Sequence, residues 1–229
     1  MDLDILLALN RLAGRDTALD ALTVQISASP IFKGLPLMML VWGLWMLPQA
    51  RPARRRAGLA ATLVVAVLAL VAGRLMSLGL PYRARPIHDP DVPLRMADTI
   101  SQDTLGGWSS MPSDHAVLFF ALATGIALVD RRWGAVALAH ALFVIAAPRV
   151  ILGFHWPSDI LVGGLIGAAL ALVAVPLLRR ILLGTGLLDW LEARPGFSYP
   201  LMFLVTHQLG TMFTSTRNLL AVLRDVALG

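Results

Sequence analysis

Residues 158–178 read SDILVGGLIGAALALVAVPLL, a stretch that opens with polar residues and is then almost entirely apolar. A helix needs about 20 mostly apolar residues to cross the hydrocarbon core of a bilayer. Four more stretches meet or approach this pattern, at about 30–48, 59–80, 114–130 and 132–149. The sequence therefore predicts an all-α, polytopic membrane helix bundle with five or six transmembrane helices.

The composition of the 229-residue chain agrees with a membrane protein. Hydrophobic residues make up 57% and charged residues 14%, with a mean hydropathy of +0.74, whereas soluble domains carry about 25% charged residues. The net charge is +5, but no basic stripe with interleaved aromatic residues accompanies it, so we expect no nucleic-acid partner. The absence of cysteine excludes disulfides, thiolate metal sites and a cysteine nucleophile.

Arginines in the short loops predict how the helices are oriented. They form clusters on alternate loops, at Arg51 with Arg54, Arg55 and Arg56, at Arg131 with Arg132, and at Arg179 with Arg180. Cytoplasmic loops carry an excess of Lys and Arg. We therefore predict that these clusters face the cytoplasm and that the loops at about 81–113 and 150–157 face outward.

The two ends of the chain are predicted to lie on opposite faces of the membrane. Residues 1–29 start on the outer side, where apolar residues at helical spacing predict an interfacial amphipathic segment interrupted near Gly14. Residues 181–229 are predicted to form helices on the cytoplasmic face, with a sixth span at 199–213 as the alternative. The whole chain would be one integral-membrane domain with a transmembrane core at 30–178.

Chemically useful side chains cluster on the outward loops and on the helix ends beside them. They are Arg74, Arg83, Arg85, Ser113, His115, Arg149, His155 and Asp159. The predicted topology brings all of them to one face of the membrane. Arginine forks suit phosphate oxygens, and two histidines provide an attacking nitrogen and a proton donor near neutral pH. The set fits phosphoryl transfer without a metal or other cofactor.

Spacing adds a local argument at two of these positions. His155 and Asp159 are one helical turn apart, so the carboxylate can hold the ring tautomer and favour the imidazolium. Ser113 lies at a predicted helix N-terminus, whose free N–H groups favour anions. Structural explanations compete with these functional ones: Arg74 as a snorkelling residue, Asp159 as part of a capping pair, and Ser113 as an N-cap.

Three motifs in this region resemble those of the type 2 phosphatidic acid phosphatase superfamily. Pro112-Ser113-Asp114-His115 resembles the family's P-S-G-H motif, and the run from Arg149 through His155 to Asp159 resembles S-R-x5-H-x3-D. Arg85-Pro86 resembles the end of K-x6-R-P. The matches cover about 74–159 in the family's order. The N-terminal segment and the short chain look most like bacterial undecaprenyl-diphosphate phosphatases.

The resemblance implies a role for each matching residue. His155 would be the nucleophile that forms a phosphohistidine, Asp159 would orient it, and His115 would protonate the leaving group and then assist water. Phosphate oxygens would be held by Arg85, Arg149 and Ser113. No metal or cofactor is implied. The enzyme would convert undecaprenyl diphosphate to undecaprenyl phosphate and phosphate for cell-wall biogenesis, at the periplasmic face of a bacterial inner membrane.

The chain departs from the family motifs at three positions. Leu78 occupies the place of the first-motif lysine, so either Arg74, one turn earlier, or Arg83 would substitute as a phosphate ligand. Asp114 replaces the usual glycine and puts a negative charge beside the anion site, where it points away or alters substrate choice. Pro148 replaces the usual serine and removes a hydroxyl and an N–H donor.

Other functions stay open at this stage. A lipid phosphotransferase would pass the phosphoryl group from the same phosphohistidine to a lipid or sugar hydroxyl. Phosphatidylglycerophosphate, phosphatidic acid and lipid A phosphates are alternative substrates. A lipid-phosphate binding or flipping protein would bind without turnover, but paired His115 and His155 favour an enzyme, because arginine and serine alone would serve binding.

Several other polar residues are predicted to be structural. His140, in the middle of a predicted span, is expected to form an interhelical hydrogen bond. The outer-loop acids have a spacing that matches no metal-binding loop, and they are expected to be solvated: Asp89, Asp91, Asp98 and Asp103.

Overall fold

The computed structural model describes residues 1–48, 52–97, 100–101 and 103–228, so the predictions for Arg51 and Asp98 lie outside the described residues. Within these ranges every long regular element is helical, which confirms the predicted helical membrane bundle. In chain order the helices are α1 (Asp2–Asn10), α2 (Thr17–Ala28), α3 (Leu35–Met46), α4 (Pro52–Gly79), α5 (Asp114–Val129), α6 (Arg131–His140), α7 (Ala147–Ile151), α8 (Pro157–Gly184), α9 (Leu187–Glu192), α10 (Pro195–Gly210) and α11 (Thr214–Leu228).

Long apolar helices form the membrane-crossing part of the bundle. In the described part of the chain, three are long and apolar enough to span a bilayer: Pro52–Gly79, Arg131–Ile151 and Pro157–Gly184. The second of these is α6 continued through a π-helical turn at Ala141–Ala146 into α7. The helices α3 and α5 are also apolar but shorter. The stretches that hydropathy selected are therefore helical.

The bundle centre is formed by α4, α5 and α8, which pack closely because small residues line their contacts. A Cβ added at Gly167 of α8 would collide with the carbonyl oxygen of Val117 on α5, and one at Gly163 would lie 2.7 Å from the carbonyl oxygen of Ser113. Close approach of this kind is typical of membrane helices, where packing replaces hydrophobic burial as the driving force. It brings the start of α5 against the start of α8.

Alternating helix directions separate two chemically different ends. Asp130 alone connects α5 to α6 and caps the latter, accepting a hydrogen bond from the backbone N–H of Arg132 at 2.9 Å. At this end Gly58 of α4 packs against Val129 and the Arg179 side chain. Arg132 and Arg179 therefore lie at the end of the bundle away from the predicted active-site residues.

The N-terminal segment is anchored at the predicted active-site end. Gly14 adopts a φ of +64° and separates α1 from α2, which confirms the predicted interruption. The Asn10 side chain donates to the carbonyl oxygens of Arg95 at 3.0 Å and Ile151 at 2.9 Å. The N-terminal segment is thereby fixed both to the loop that precedes α5 and to α7.

The C-terminal segment contacts both ends of the bundle. The helix α9 does stay at the basic end, where Glu192 pairs with Arg56 at 3.1 Å. The helix α10, however, runs back along α3: Trp42 Nε1 donates to Thr206 Oγ1 at 3.1 Å, and Gly34 packs against Gly210. Glycine at both positions permits this crossing, and the segment after α10 reaches the opposite end of the bundle.

Candidate active site

A cavity of about 440 Å³ opens at the end of the bundle where α4 ends and α5 begins. Its volume lies in the range of small-molecule sites. The cavity is lined by five of the predicted site residues and by Asp114 of the second motif. The five are Arg74, Arg85, His115, Arg149 and His155. Residues separated by most of the transmembrane core in sequence therefore share one cavity.

His155 lies in the turn between α7 and α8 and is almost fully buried. Its Nδ1 donates to the carbonyl oxygen of Ser110 at 2.9 Å, and its Nε2 faces Arg85 Nη1 at 3.1 Å. A donating Nδ1 leaves the lone pair on Nε2. Burial lowers the pKa of His155, so the ring is held neutral with a nucleophilic nitrogen toward the arginine.

Asp159 stands one turn along α8 and is buried beneath that imidazole. Its Oδ2 lies 3.7 Å from His155 Nδ1, which is an ion-pair distance and not a hydrogen bond. The carboxylate accepts hydrogen bonds from Ser110 Oγ, from the Trp156 backbone N–H at 2.8 Å and from Arg83 Nη1 at 2.6 Å. Asp159 therefore fixes the turn that holds His155 by accepting these hydrogen bonds from Ser110, Trp156 and Arg83.

Arg83 contacts Asp159 from a partly exposed position, and it does not line the cavity. Besides Asp159 it contacts Asp2 Oδ2 at 2.8 Å and Ser158 Oγ at 2.8 Å. Its guanidinium also lies over the Trp156 ring, 5.2 Å from the centroid. Of the two candidates to replace the first-motif lysine, only Arg74 lines the cavity.

The second imidazole, His115, lies on the first turn of α5 with different partners. Its Nδ1 is 2.8 Å from Asp114 Oδ1, and its Nε2 contacts Arg149 Nη2. Asp114 Oδ2 in turn pairs with Arg74 Nη2 at 2.6 Å. Asp114 thus points into the site, where it binds one catalytic candidate and one phosphate-ligand candidate.

Two arginines and one serine keep unused hydrogen-bonding capacity. Arg85 donates to the carbonyl oxygens of Phe154 at 2.7 Å and Ser109 at 3.2 Å, and burial lowers its pKa. Buried atoms without a hydrogen-bond partner among the described residues include Arg85 Nε, Arg149 Nε and Ser113 Oγ. Such groups are costly to leave unsatisfied. Arg85 and Arg149 line the cavity, whereas Ser113 is fully buried and does not line it.

Other polar residues of the chain stay outside this constellation. His140 Nε2 donates to the carbonyl oxygen of Lys33 at 2.9 Å, so its partner lies in the connection between α2 and α3 and not on a neighbouring helix as predicted. His88 binds the carbonyl oxygen of Thr104 at 3.1 Å. In the ranges that the structure describes, no group of three or more His, Asp or Glu side chains is arranged to hold a metal ion.

Several functional neighbours carried no sequence signal. Ser110 serves both His155 and Asp159, yet it lies 45 and 49 positions from them. The cavity is also lined by residues from both ends of the chain, namely Ser27, Lys33, Thr211, Met212 and Thr214.

Comparison with known proteins connects this geometry to one family. The PAP2 superfamily model matches residues 60–182. The lipid A 1-diphosphate synthase of Escherichia coli is 31% identical over 150 residues, which cover 62% of this chain and 61% of that protein. YbjG of Escherichia coli, an undecaprenyl-diphosphatase by name, is 43% identical over 58 residues, 25% of this chain and 29% of that protein. A lipid A 4'-phosphatase of Bacteroides thetaiotaomicron is 34% identical over 86 residues, 37% of this chain and 38% of that protein.

The fold has a counterpart among solved structures. The crystal structure of LpxE from Aquifex aeolicus aligns with a TM-score of 0.51 at 19% identity, covering 76% of this chain and 94% of that one. The likeness concerns the fold alone. The chain spans less than two thirds of the length of each sequence relative named above.

Proposed function

The chain belongs to the PAP2 superfamily, and we propose that it is a membrane lipid phosphatase whose preferred substrate is undecaprenyl diphosphate. The products would be undecaprenyl phosphate and inorganic phosphate. One observation carries the proposal: two imidazoles, His115 and His155, line the same cavity as Arg74, Arg85 and Arg149. An anion held by the three arginines lies within reach of a nucleophile and a proton donor.

The first step forms a phosphohistidine. His155 Nε2 attacks the terminal phosphorus, because Ser110 holds the proton on Nδ1. The bond from phosphorus to the bridging oxygen breaks, and His115, as the imidazolium, donates a proton to the leaving oxygen. The carboxylate of Asp114, 2.8 Å from His115 Nδ1, stabilises that imidazolium. Asp159 keeps the His155 turn in position.

The second step returns the enzyme to its starting state. Neutral His115 removes a proton from water, which attacks phosphorus and breaks the bond to His155. Positive charge on the arginines offsets the negative charge of the transferring group in both steps. Phosphate oxygens would be bound by Arg85, Arg149 and Ser113, with Arg74 in place of the family's lysine. Arg83, bound to two carboxylates, would instead support Asp159.

The nucleophile assignment is tested with His155→Ala. We expect phosphate release from undecaprenyl diphosphate to fall by at least about 10⁴-fold, as it does when a covalent nucleophile is removed. The acid-labile phosphoenzyme should disappear with it. His207→Ala is the matched control, since His207 is exposed on α10. Full activity in His155→Ala would refute the assignment. The assay contains a chelator, because the arginines supply the positive charge that a metal would otherwise provide.

A transferase is the second candidate, because one relative is named a lipid A 1-diphosphate synthase. It would use the same phosphohistidine, with a lipid hydroxyl or phosphate in place of water. The same assay separates the two candidates when free phosphate and phosphorylated acceptor are both quantified.

We also propose a topology with six spans in a bacterial inner membrane, with the active site facing the periplasm. It rests on the arginines at the opposite end and on α10, which returns along α3. The chain has no cysteine, so single-cysteine variants can be labelled with a membrane-impermeant maleimide. In intact spheroplasts we expect labelling of Ser215→Cys and protection of Thr185→Cys, both exposed positions. If both cysteines were equally protected from labelling, the sixth span would be ruled out.

A further inference from the structure

Trp108 lines the cavity, yet the two-step mechanism gives it no role. It lies in the loop that precedes α5, outside the three motifs. The residue is 48% exposed. Exposed tryptophans commonly anchor a membrane protein at the interface with water. The contacts of this ring, however, lie on the phosphate-binding side of the cavity.

The backbone next to Trp108 is fixed by hydrogen bonds to residues of the site. The carbonyl oxygen of Ser109 accepts a hydrogen bond from Arg85 Nη2 at 3.2 Å, and the Ser109 hydroxyl accepts one from the Arg83 backbone N–H at 3.2 Å. The backbone N–H of Ser110 donates to the carbonyl oxygen of Arg83 at 2.9 Å. Trp108 is therefore attached to a segment whose position relative to the arginines is set.

The ring of Trp108 contacts Arg74, the arginine that replaces the first-motif lysine. The guanidinium carbon lies over the ring, 5.4 Å from its centroid, and a cation within about 6 Å of a ring centroid is attracted to the ring face. Asp114 holds the same group at its edge, through Oδ2 at 2.6 Å from Nη2. A guanidinium has five N–H donors in one plane, so these two contacts leave further donors for an anion in the cavity.

Arg74 is a side chain that benefits from such support. It extends from the last turns of α4 and is 28% exposed. A long side chain loses rotamer freedom when it binds a ligand, and a side chain that is already held in place loses less. The planar guanidinium suits an aromatic face better than the compact ammonium of a lysine does. The ring and the carboxylate together therefore hold Arg74 in a binding geometry before the anion arrives.

We propose that Trp108 is a positioning residue, which holds the guanidinium of Arg74 where it binds a phosphate group of the lipid substrate. The inference rests on the proposed function and adds one residue to its phosphate-binding site. Trp108 acts through Arg74 and takes no part in bond formation or proton transfer. Arg74 binds the phosphate both before and during the reaction, so loss of the ring should weaken substrate binding more than turnover.

The first test replaces the ring. In Trp108→Leu we expect KM for undecaprenyl diphosphate and the inhibition constant of inorganic phosphate to rise by about 3- to 10-fold, the range for losing a cation–π contact, while kcat changes less than about twofold. Trp108→Phe keeps an aromatic face and should stay within about twofold of wild type. Trp190→Leu is the matched control, because Trp190 is 46% exposed and has Arg194 over its ring at 4.3 Å, but it lies on α9 at the basic end.

A double-mutant cycle separates a positioning role from a membrane anchor. In the Arg74→Met background, Trp108→Leu should weaken phosphate binding by less than about 1.5-fold further, because its effect passes through Arg74. An anchor would give the same loss in both backgrounds. That result, or unchanged phosphate binding in Trp108→Leu, overturns the inference.

Phosphate binding can be measured without turnover, from the protection that orthophosphate gives against thermal unfolding. If wild type shows this binding and its coupling to Trp108 but releases no phosphate from the lipid, the proposed function fails and the role of Trp108 stands. If the lipid is hydrolysed and the coupling is absent, the role of Trp108 fails and the proposed function stands. A wild-type protein that does not bind orthophosphate also overturns the inference.

Discussion

His155 and His115 each lie near a carboxylate and an arginine, but the protein surrounds the first ring whereas the second ring faces the cavity. Protein groups hold His155 in place. The carbonyl oxygen of Ser110 fixes the proton on its ring, and the nearby Asp159 binds Arg83, which in turn binds Asp2 of α1. His115 faces the cavity: Asp114 and Arg149 contact its ring, and both line the cavity themselves. A nucleophile needs a fixed direction, whereas a group that moves protons needs partners that change with the bound anion. In the proposed mechanism, His155 and Asp159 therefore form a rigid pair with a fixed geometry. His115 and Asp114 form a responsive pair, whose contacts can change when an anion binds.

The largest effect is expected from breaking the rigid pair at Asp159. In Asp159→Asn the ionised acceptor of Arg83 and Ser110 is lost, so the His155 turn loses its anchor. We expect kcat to fall on the order of 10³- to 10⁴-fold, as in hydrolytic triads whose aspartate becomes asparagine. Steady-state phosphate release measures it, with thermal unfolding as the check on folding. A loss smaller than about tenfold would mean that Asp159 does not orient the nucleophile.

A smaller and two-sided effect is expected from Asp114→Asn in the responsive pair. His115 loses an ionised partner, so kcat should fall by about tenfold, equivalent to about 1.4 kcal/mol. Arg74 loses its carboxylate at the same time, so inorganic phosphate should inhibit at lower concentration. Asp91→Asn, at an exposed position in the loop that precedes α5, is the control. If Asp114→Asn lowered both kcat and the affinity for inorganic phosphate, the proposed pairing of Asp114 with His115 and Arg74 would be contradicted.

The smallest effect is expected where the rigid pair reaches the N-terminal helix. Partial burial raises the pKa of Asp2, but hydrogen bonds from Ser158 and Arg83 outweigh it and leave the pKa below its usual value. Asp2→Asn should lower kcat by up to about fivefold with little change in KM, since partly exposed ion pairs contribute about 1 kcal/mol or less. Asp4→Asn is the matched control on the same helix, because Asp4 is exposed and pairs with the N-terminus. Identical kinetics in the two variants would show that α1 does not contribute to catalysis.

Sequence spacing predicted the partners of His155 only in part. The four-residue interval to Asp159 correctly indicated a nearby carboxylate, because residues four apart share a helix face. It could not indicate that the carbonyl oxygen of Ser110 fixes the tautomer, since that contact joins residues 45 positions apart. The partnership of Asp114 with Arg74 is non-local in the same way.

Hydropathy determined the helical membrane class of this chain, and the order of its polar motifs determined which residues could meet at one end, because both depend on local composition and helical period. Only the tertiary structure decided which arginine enters the cavity and which supports Asp159. It also decided that α10 returns along α3 and brings Thr211 and Thr214 to the cavity. These outcomes depend on close contacts between distant segments, such as Gly34 with Gly210, and no periodicity within one helix encodes its contact with another.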